Sequence, residues 1–176
     1  MSQFSYKLEL LSTSTKPVEI YKGEQKVGVV KGFYKNIFMR ILDYIYSSSS
    51  IISYELKDKE NNIRIISKDA TGLGRKKVLV RYIDNDNKEH EILMRDEKPF
   101  DIGEQVTFEY KNQKYVISKK PFQPAELLLD DHLIAEWKIQ PAAFRVVMNI
   151  VDYDYIEEQY LILGLFHAYL YADKNG

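Results

Sequence analysis

The chain contains no cysteine, which removes disulfide frameworks, thiolate nucleophiles and cysteine-ligated metal sites together and fits a reducing compartment. It has almost no net charge, with 25 Lys plus Arg against 26 Asp plus Glu. A dedicated nucleic-acid binder would normally be strongly basic, so the balance argues against that class, although local basic patches remain available. No apolar run approaches the roughly 20 residues needed to cross a bilayer. The start, Met1-Ser2-Gln3-Phe4-Ser5-Tyr6-Lys7, lacks the charged head and apolar stretch of a secretory signal. Internal repeats are missing too, and so is the alternation of strand with helix that builds a parallel sheet. These absences predict a soluble, cytoplasmic protein.

What is present is apolar and aromatic. Hydrophobic residues make up 45% of 176 positions, ample for the core of a single domain over residues 1–176. Fourteen tyrosines and 13% aromatic residues suit strands better than helix bundles. From Phe4 to Leu11, Phe4, Tyr6, Leu8 and Leu10 alternate with other residues, the period of a half-buried strand. Similar short runs follow at Val18–Tyr21, Lys26–Phe33, Ile51–Lys57, Ile63–Lys68, Lys77–Ile83, Glu89–Arg95, Val106–Tyr110, Tyr115–Lys119, Glu126–Leu129, Leu133–Ile139 and Ala143–Ile150. Most are separated by tight-turn chemistry, such as Gly23, Asn61-Asn62, Asp84-Asn85-Asp86-Asn87 and Asp130-Asp131. The stretch Phe38–Tyr46 fits helical spacing through Phe38, Ile41, Leu42 and Ile45, but its β-branched and aromatic content favours a strand, followed by a four-serine loop at Ser47–Ser50.

The final stretch differs in kind. From Tyr160 to Ala172 only Gly164 and His167 interrupt an apolar or aromatic run, which predicts a helix over about 155–172 that is hydrophobic on every side. Such a helix must be surrounded, and it is too short to be surrounded by lipid. Turn signals every eight to twelve residues indicate an antiparallel sandwich or barrel. A barrel of about twelve strands would be hollow unless filled, and this helix is the one available filler. The sequence therefore predicts a mainly β fold: a closed antiparallel β-barrel of about twelve strands enclosing the C-terminal helix.

The order of elements, together with Gly28-Val29-Val30-Lys31-Gly32-Phe33-Tyr34, Ile52-Ser53-Tyr54-Glu55-Leu56-Lys57-Asp58 and the stretch from Leu129-Asp130-Asp131-His132 through Trp137 to Ala172, resembles the superfamily of tubby C-terminal domains, LURP-one-related proteins and phospholipid scramblases. Its smaller bacterial members are the most similar. The resemblance implies a helix threaded through a twelve-stranded barrel and a non-enzymatic module, in some members a binder of anionic phospholipid headgroups. It implies no cofactor. The missing cysteines and membrane-spanning tail depart from the scramblases.

Charge then nominates contacts for an anionic lipid surface: Lys31, Lys35 and Arg40 beside Phe33 and Tyr34, and Arg75, Lys76, Lys77 and Arg81 at a loop and strand start. The Arg75 group also reads as a solvated hairpin shoulder, and strand packing explains the Lys31 group equally well. A second basic group comprises Lys111, Lys114, Lys119 and Lys120. Gly72-Leu73-Gly74-Arg75-Lys76 lacks the spacing of a phosphate loop. Asp84-Asn85-Asp86-Asn87-Lys88-Glu89 has Glu where a calcium loop needs Gly, so it reads as a turn. His90, His132 and His167 lack metal-ligand spacing, and no metal site is expected. His167, inside the apolar helix, reads as a core histidine that must find hydrogen-bond partners. Asp152, Asp154, Glu157 and Glu158 precede the helix, where carboxylates favour its dipole. No catalytic residues are nominated. The leading expectation is a peripheral binder of anionic membrane or of a protein partner. The alternatives are a small-molecule or acyl-chain binder or enzyme with a cavity around the helix, and a scaffold without a ligand.

Overall fold

The structure is a computed structural model that describes residues 2–7, 15–34, 53–71, 75–97 and 104–172. The strand expected over 38–46 and the serine loop over 47–50 lie outside the described residues, as do Lys35 and Arg40. Twelve strands follow in order: β1 (Ser2–Lys7), β2 (Val18–Lys22), β3 (Gln25–Phe33), β4 (Ser53–Asp58), β5 (Ile63–Asp69), β6 (Lys77–Ile83), β7 (Glu89–Asp96), β8 (Glu104–Tyr110), β9 (Gln113–Lys119), β10 (Ala125–Leu129), β11 (His132–Gln140) and β12 (Arg145–Ile150). A 3-10 segment, Tyr153–Glu158, leads into the helix α1, Gln159–Ala172.

Each strand pairs antiparallel with its sequence neighbours, and β1 closes the ring against β12 from Ser2↔Ile150 to Lys7↔Arg145. The result is an up-and-down barrel with no open edge, the configuration that removes unpaired strand donors and acceptors. Inward positions alternate as the sequence pattern requires. In β4 Tyr54, Leu56 and Asp58 are buried while their neighbours are less so, and in β6 the buried pair is Val80 and Tyr82.

The helix runs inside this ring. Tyr160 to Phe166, apart from glycine at 164, are hydrophobic and at most 8% exposed. Fourteen residues give a helix of about 21 Å, close to the ~20 Å length of a six-residue strand. Trp137 of β11 stacks on Phe166, with ring centroids 6.3 Å apart. Where α1 passes β5, Gly164 permits the approach: a Cβ there would lie 2.6 Å from Ile65 Cγ1 and 2.9 Å from two further Ile65 atoms. His167 is buried, with Nδ1 3.5 Å from the Tyr6 hydroxyl and its ring edge-on to Tyr54 at 5.0 Å.

Two ends follow from the topology. The near end, where the chain enters the lumen after Ile150, carries the turns β2–β3, β4–β5, β6–β7, β8–β9 and β10–β11. The far end carries β5–β6, β7–β8, β9–β10 and β11–β12. Several expected boundaries move: β8 and β9 begin two residues early, at Glu104 and Gln113, and the α-helix proper begins at Gln159 rather than near 155, behind the 3-10 segment. The last strand begins at Arg145 rather than Ala143, because Pro141–Ala143 form a 3-10 turn that ends at Phe144 in the left-handed region, φ +45°. Pro141 cannot donate to a ladder, so it turns the chain.

Two substitutions test the enclosed helix. Gly164→Ala should lower unfolding free energy by about 1–3 kcal/mol, and Ile65→Val in the same chain should recover part of that loss, read as a positive coupling in urea melts. Leu165→Asp places an unpaired charge in the core at a cost of several kcal/mol against a total stability of about 5–15 kcal/mol. It should leave no cooperative unfolding transition in circular dichroism.

Candidate functional site

The near-end turns are built from residues that tolerate a left-handed backbone, including Gly23, Asn61, Asn87, Asn112, Asp130 and Asp131, all at positive φ. Some of their charges are engaged with one another. Asp58, 2% exposed, accepts from the backbone and side chain of Asn62 and from Arg64 Nε at 2.9 Å. Burial alone would raise the Asp58 pKa, but these hydrogen bonds and the Arg64 charge hold it below the ordinary carboxylate value. Arg64 also donates to the Asp84 carbonyl at 2.7 Å and lies over the Tyr160 ring at 5.6 Å. Asp84 in turn fixes its own turn through the amides of Asp86 and Lys88 and meets His90 Nε2 at 2.7 Å. It is a turn scaffold, as its sequence indicates.

Glu158, the last residue before α1, joins this framework to the helix. It accepts from Tyr82 Oη at 2.9 Å, from Tyr110 Oη at 3.2 Å and from Lys111 Nζ at 2.6 Å. Burial and then the Glu158 charge push the Tyr82 phenol pKa well up and that of Tyr110 to about 12. The Glu158 hydrogen bond raises that of Lys111. Asp152 caps the 3-10 segment by accepting from the Asp154 amide at 3.0 Å, and it also meets His132 at the start of β11 at 2.9 Å. The carboxylates before the helix thus do more than face its dipole. They tie the helix start to three strands, β6, β8 and β11.

The far end is chemically different. Lys7, Lys31, Lys77, Lys120 and Arg145 are exposed, and among the described residues none of them forms an ion pair. Arg75 is exposed and donates to the Glu97 carbonyl at 2.8 Å. Lys76, half-buried, adjoins Lys77 at the start of β6. Of the residues nominated from sequence, Lys31, Arg75, Lys76 and Lys77 therefore belong to this end. Arg81 does not join them: four residues along β6 it lies toward the near end, 3.6 Å from Glu89. The second basic group is divided as well. Lys111 serves Glu158 at the near end and Lys114 lies 3.8 Å from Glu97, while Lys119 and Lys120 stand at the far end. Between β1, β2 and β3 an outer groove of about 540 Å³ is bordered by Lys7, Pro17, Tyr21 and Arg145. The interstices beside His167, among Val30, Tyr54, Leu56 and Ser67, leave no room for a water-sized molecule.

Comparison with protein families gives a match to the tubby C-terminal-like domain over residues 4–172. The chain belongs to that family. No curated protein and no solved structure matches it. The tubby-like match begins at the first buried residue of β1 and ends with the last residue of α1, so it covers the whole enclosed architecture. No described helix of this tubby-like barrel is long and apolar enough to cross a membrane.

Sequence reasoning missed the Glu158 cluster, whose members lie 76 and 48 residues apart. It missed the Asp84–His90 pair too, although an Asp six residues before a His across a tight turn was a readable signal.

The phenol shifts fix an alkaline window. A neutral Tyr110 is favoured in the folded state, while the unfolded phenol ionises near its ordinary 10.0. This contribution to stability is complete below pH 10 and is lost as pH rises toward about 12. Thermal melts should show a falling midpoint across that window, and Tyr110→Phe should flatten the fall. Glu158→Gln should reduce stability at neutral pH by about 1–3 kcal/mol. A midpoint indifferent to alkali in the wild type would contradict the assignment.

Proposed function

We propose that this tubby-like module is a peripheral binder of anionic phospholipid surfaces and that it docks through the far end of the barrel. The observation that carries the reading is the contrast in the sign of the exposed charge. Among the described residues, the exposed side chains of the near end that make no ion pair include Glu24, Asp86, Asp130, Asp131 and Glu157, whereas at the far end Lys7, Lys31, Lys77, Lys120 and Arg145 stand exposed without ionic partners. Exposed cations on one face contribute about 1 kcal/mol each at an anionic leaflet. The packed interior supports this reading over an acyl-chain or small-molecule site around the helix, since the space beside His167 is filled by side chains.

Vesicle co-sedimentation tests it. Binding should require phosphatidylserine in phosphatidylcholine vesicles and weaken with added salt, because screening shortens the reach of exposed charges. Lys31→Ala with Lys77→Ala should weaken partitioning by about thirtyfold, the equivalent of about 2 kcal/mol. Sedimentation equal with and without phosphatidylserine would refute the reading.

A further inference from the structure

The far end breaks the turn chemistry that the rest of the barrel obeys. Among the described residues, glycine, asparagine and aspartate hold every left-handed position at the near end except Lys111. At the far end the two such positions are taken by Phe122, φ +62°, and Phe144, φ +45°. Bulky residues are rare there, and strained backbone of this kind concentrates at functional sites. Neither ring is buried to compensate: Phe122 is fully exposed and Phe144 is 53% exposed. Their surroundings are apolar as well. Phe122 follows an exposed Pro121, and Phe144 ends the exposed run Pro141-Ala142-Ala143.

The two tips belong together. The β9–β10 and β11–β12 turns are neighbours on the same rim, because β10 and β11 are adjacent strands. Each tip is flanked by a cation without an ion pair among the described residues: Lys120 just before Pro121, and Arg145 just after Phe144. Arg145 also lies opposite Lys7 across the β1–β12 seam. Like charges in that position repel, so an anion between them would relieve a standing unfavourable contact. Projecting aromatic tips set in a ring of cations match a bilayer interface, where aromatic rings settle at headgroup depth and cations meet phosphate. A protein partner would instead be met by a pocket or complementary flat patch.

We propose that Phe122 and Phe144 are interfacial anchors that insert into an anionic bilayer, with Lys7, Lys120 and Arg145 contacting phosphate beside them. This rests on the lipid-surface reading above and specifies which part of the barrel enters the membrane.

Tryptophan scanning of the full chain tests it. The single native tryptophan, Trp137, is buried and supplies a constant background. With phosphatidylserine-containing vesicles doped with brominated lipid, Phe122→Trp and Phe144→Trp should show a blue shift and quenching. Tyr153→Trp, an exposed near-end position, should show neither. The double variant Phe122→Asn/Phe144→Asn should partition about tenfold more weakly while melting at the same or a higher temperature, since asparagine suits the left-handed backbone. Quenching at residue 153 instead of 122 and 144, or unchanged partitioning of the asparagine variant, would overturn the anchors while leaving phosphatidylserine-dependent sedimentation intact. A wild type that binds no vesicles overturns both readings.

Discussion

A helix with no polar face cannot be left in water, and the rest of this fold answers that constraint. From Tyr160 to Phe166 every side chain is hydrophobic, apart from the missing one at Gly164, and each is buried. A helix with its side chains is about 10–12 Å across, and an eight-stranded barrel is already filled by its own inward residues. Twelve strands open enough lumen to admit the helix. An even number lets a simple antiparallel meander close on itself, with β1 meeting β12. Gly164 then becomes a fitting condition, because the barrel wall at Ile65 leaves no space for a methyl group.

Enclosure also gives the two ends of the barrel different charges. The near end has to admit the chain and hold the helix start, and four of its carboxylates, Glu158, Asp58, Asp84 and Asp152, are engaged there. The lumen is filled by aromatic and branched side chains such as Trp137, Phe166 and Ile65. The near-end turns still expose carboxylates such as Asp86 and Asp131, whereas the far rim exposes cations and its turns depart from ordinary turn composition.

Much of the architecture was legible in the sequence because each element carries a local signal. Strands such as β4 and β6 announce themselves through alternating burial, near-end turns through Asn, Asp and Gly, and the helix through its unbroken apolar run. What the sequence concealed depends on register. Lys77 and Arg81 look like one cluster, yet four residues of strand separate them by about 13 Å, enough to put Arg81 beside Glu89. Lys111 and Lys120 part in the same way, to opposite ends of β9. Glu158 reads as a helix-start carboxylate, and only closure of the barrel brings Tyr82 and Tyr110 to it. Phe122 and Phe144 were hidden by the prolines one and three residues before them, which mark a break but not which side chain the break exposes.

A structural explanation for the axial charge pattern has to be weighed against the functional one. The helix carries about half a positive charge at its N-terminus and half a negative charge at its C-terminus, so an acidic near end and a basic far end would both be favoured by the dipole. That effect fades within the first or last turn, however, and exposed charges are screened over about 8–10 Å in salt. It accounts for carboxylates at the helix start, Glu158 above all. It does not reach Lys31, Lys77 or Lys120, which stand on the outer rim with the thickness of the barrel wall between them and the helix. Their clustering contributes little to folding, and neither do two phenylalanines held exposed in a backbone conformation that disfavours them. The helix dipole and core packing therefore leave the basic and apolar character of this rim unaccounted for, and the proposed docking on an anionic bilayer rests on that remainder.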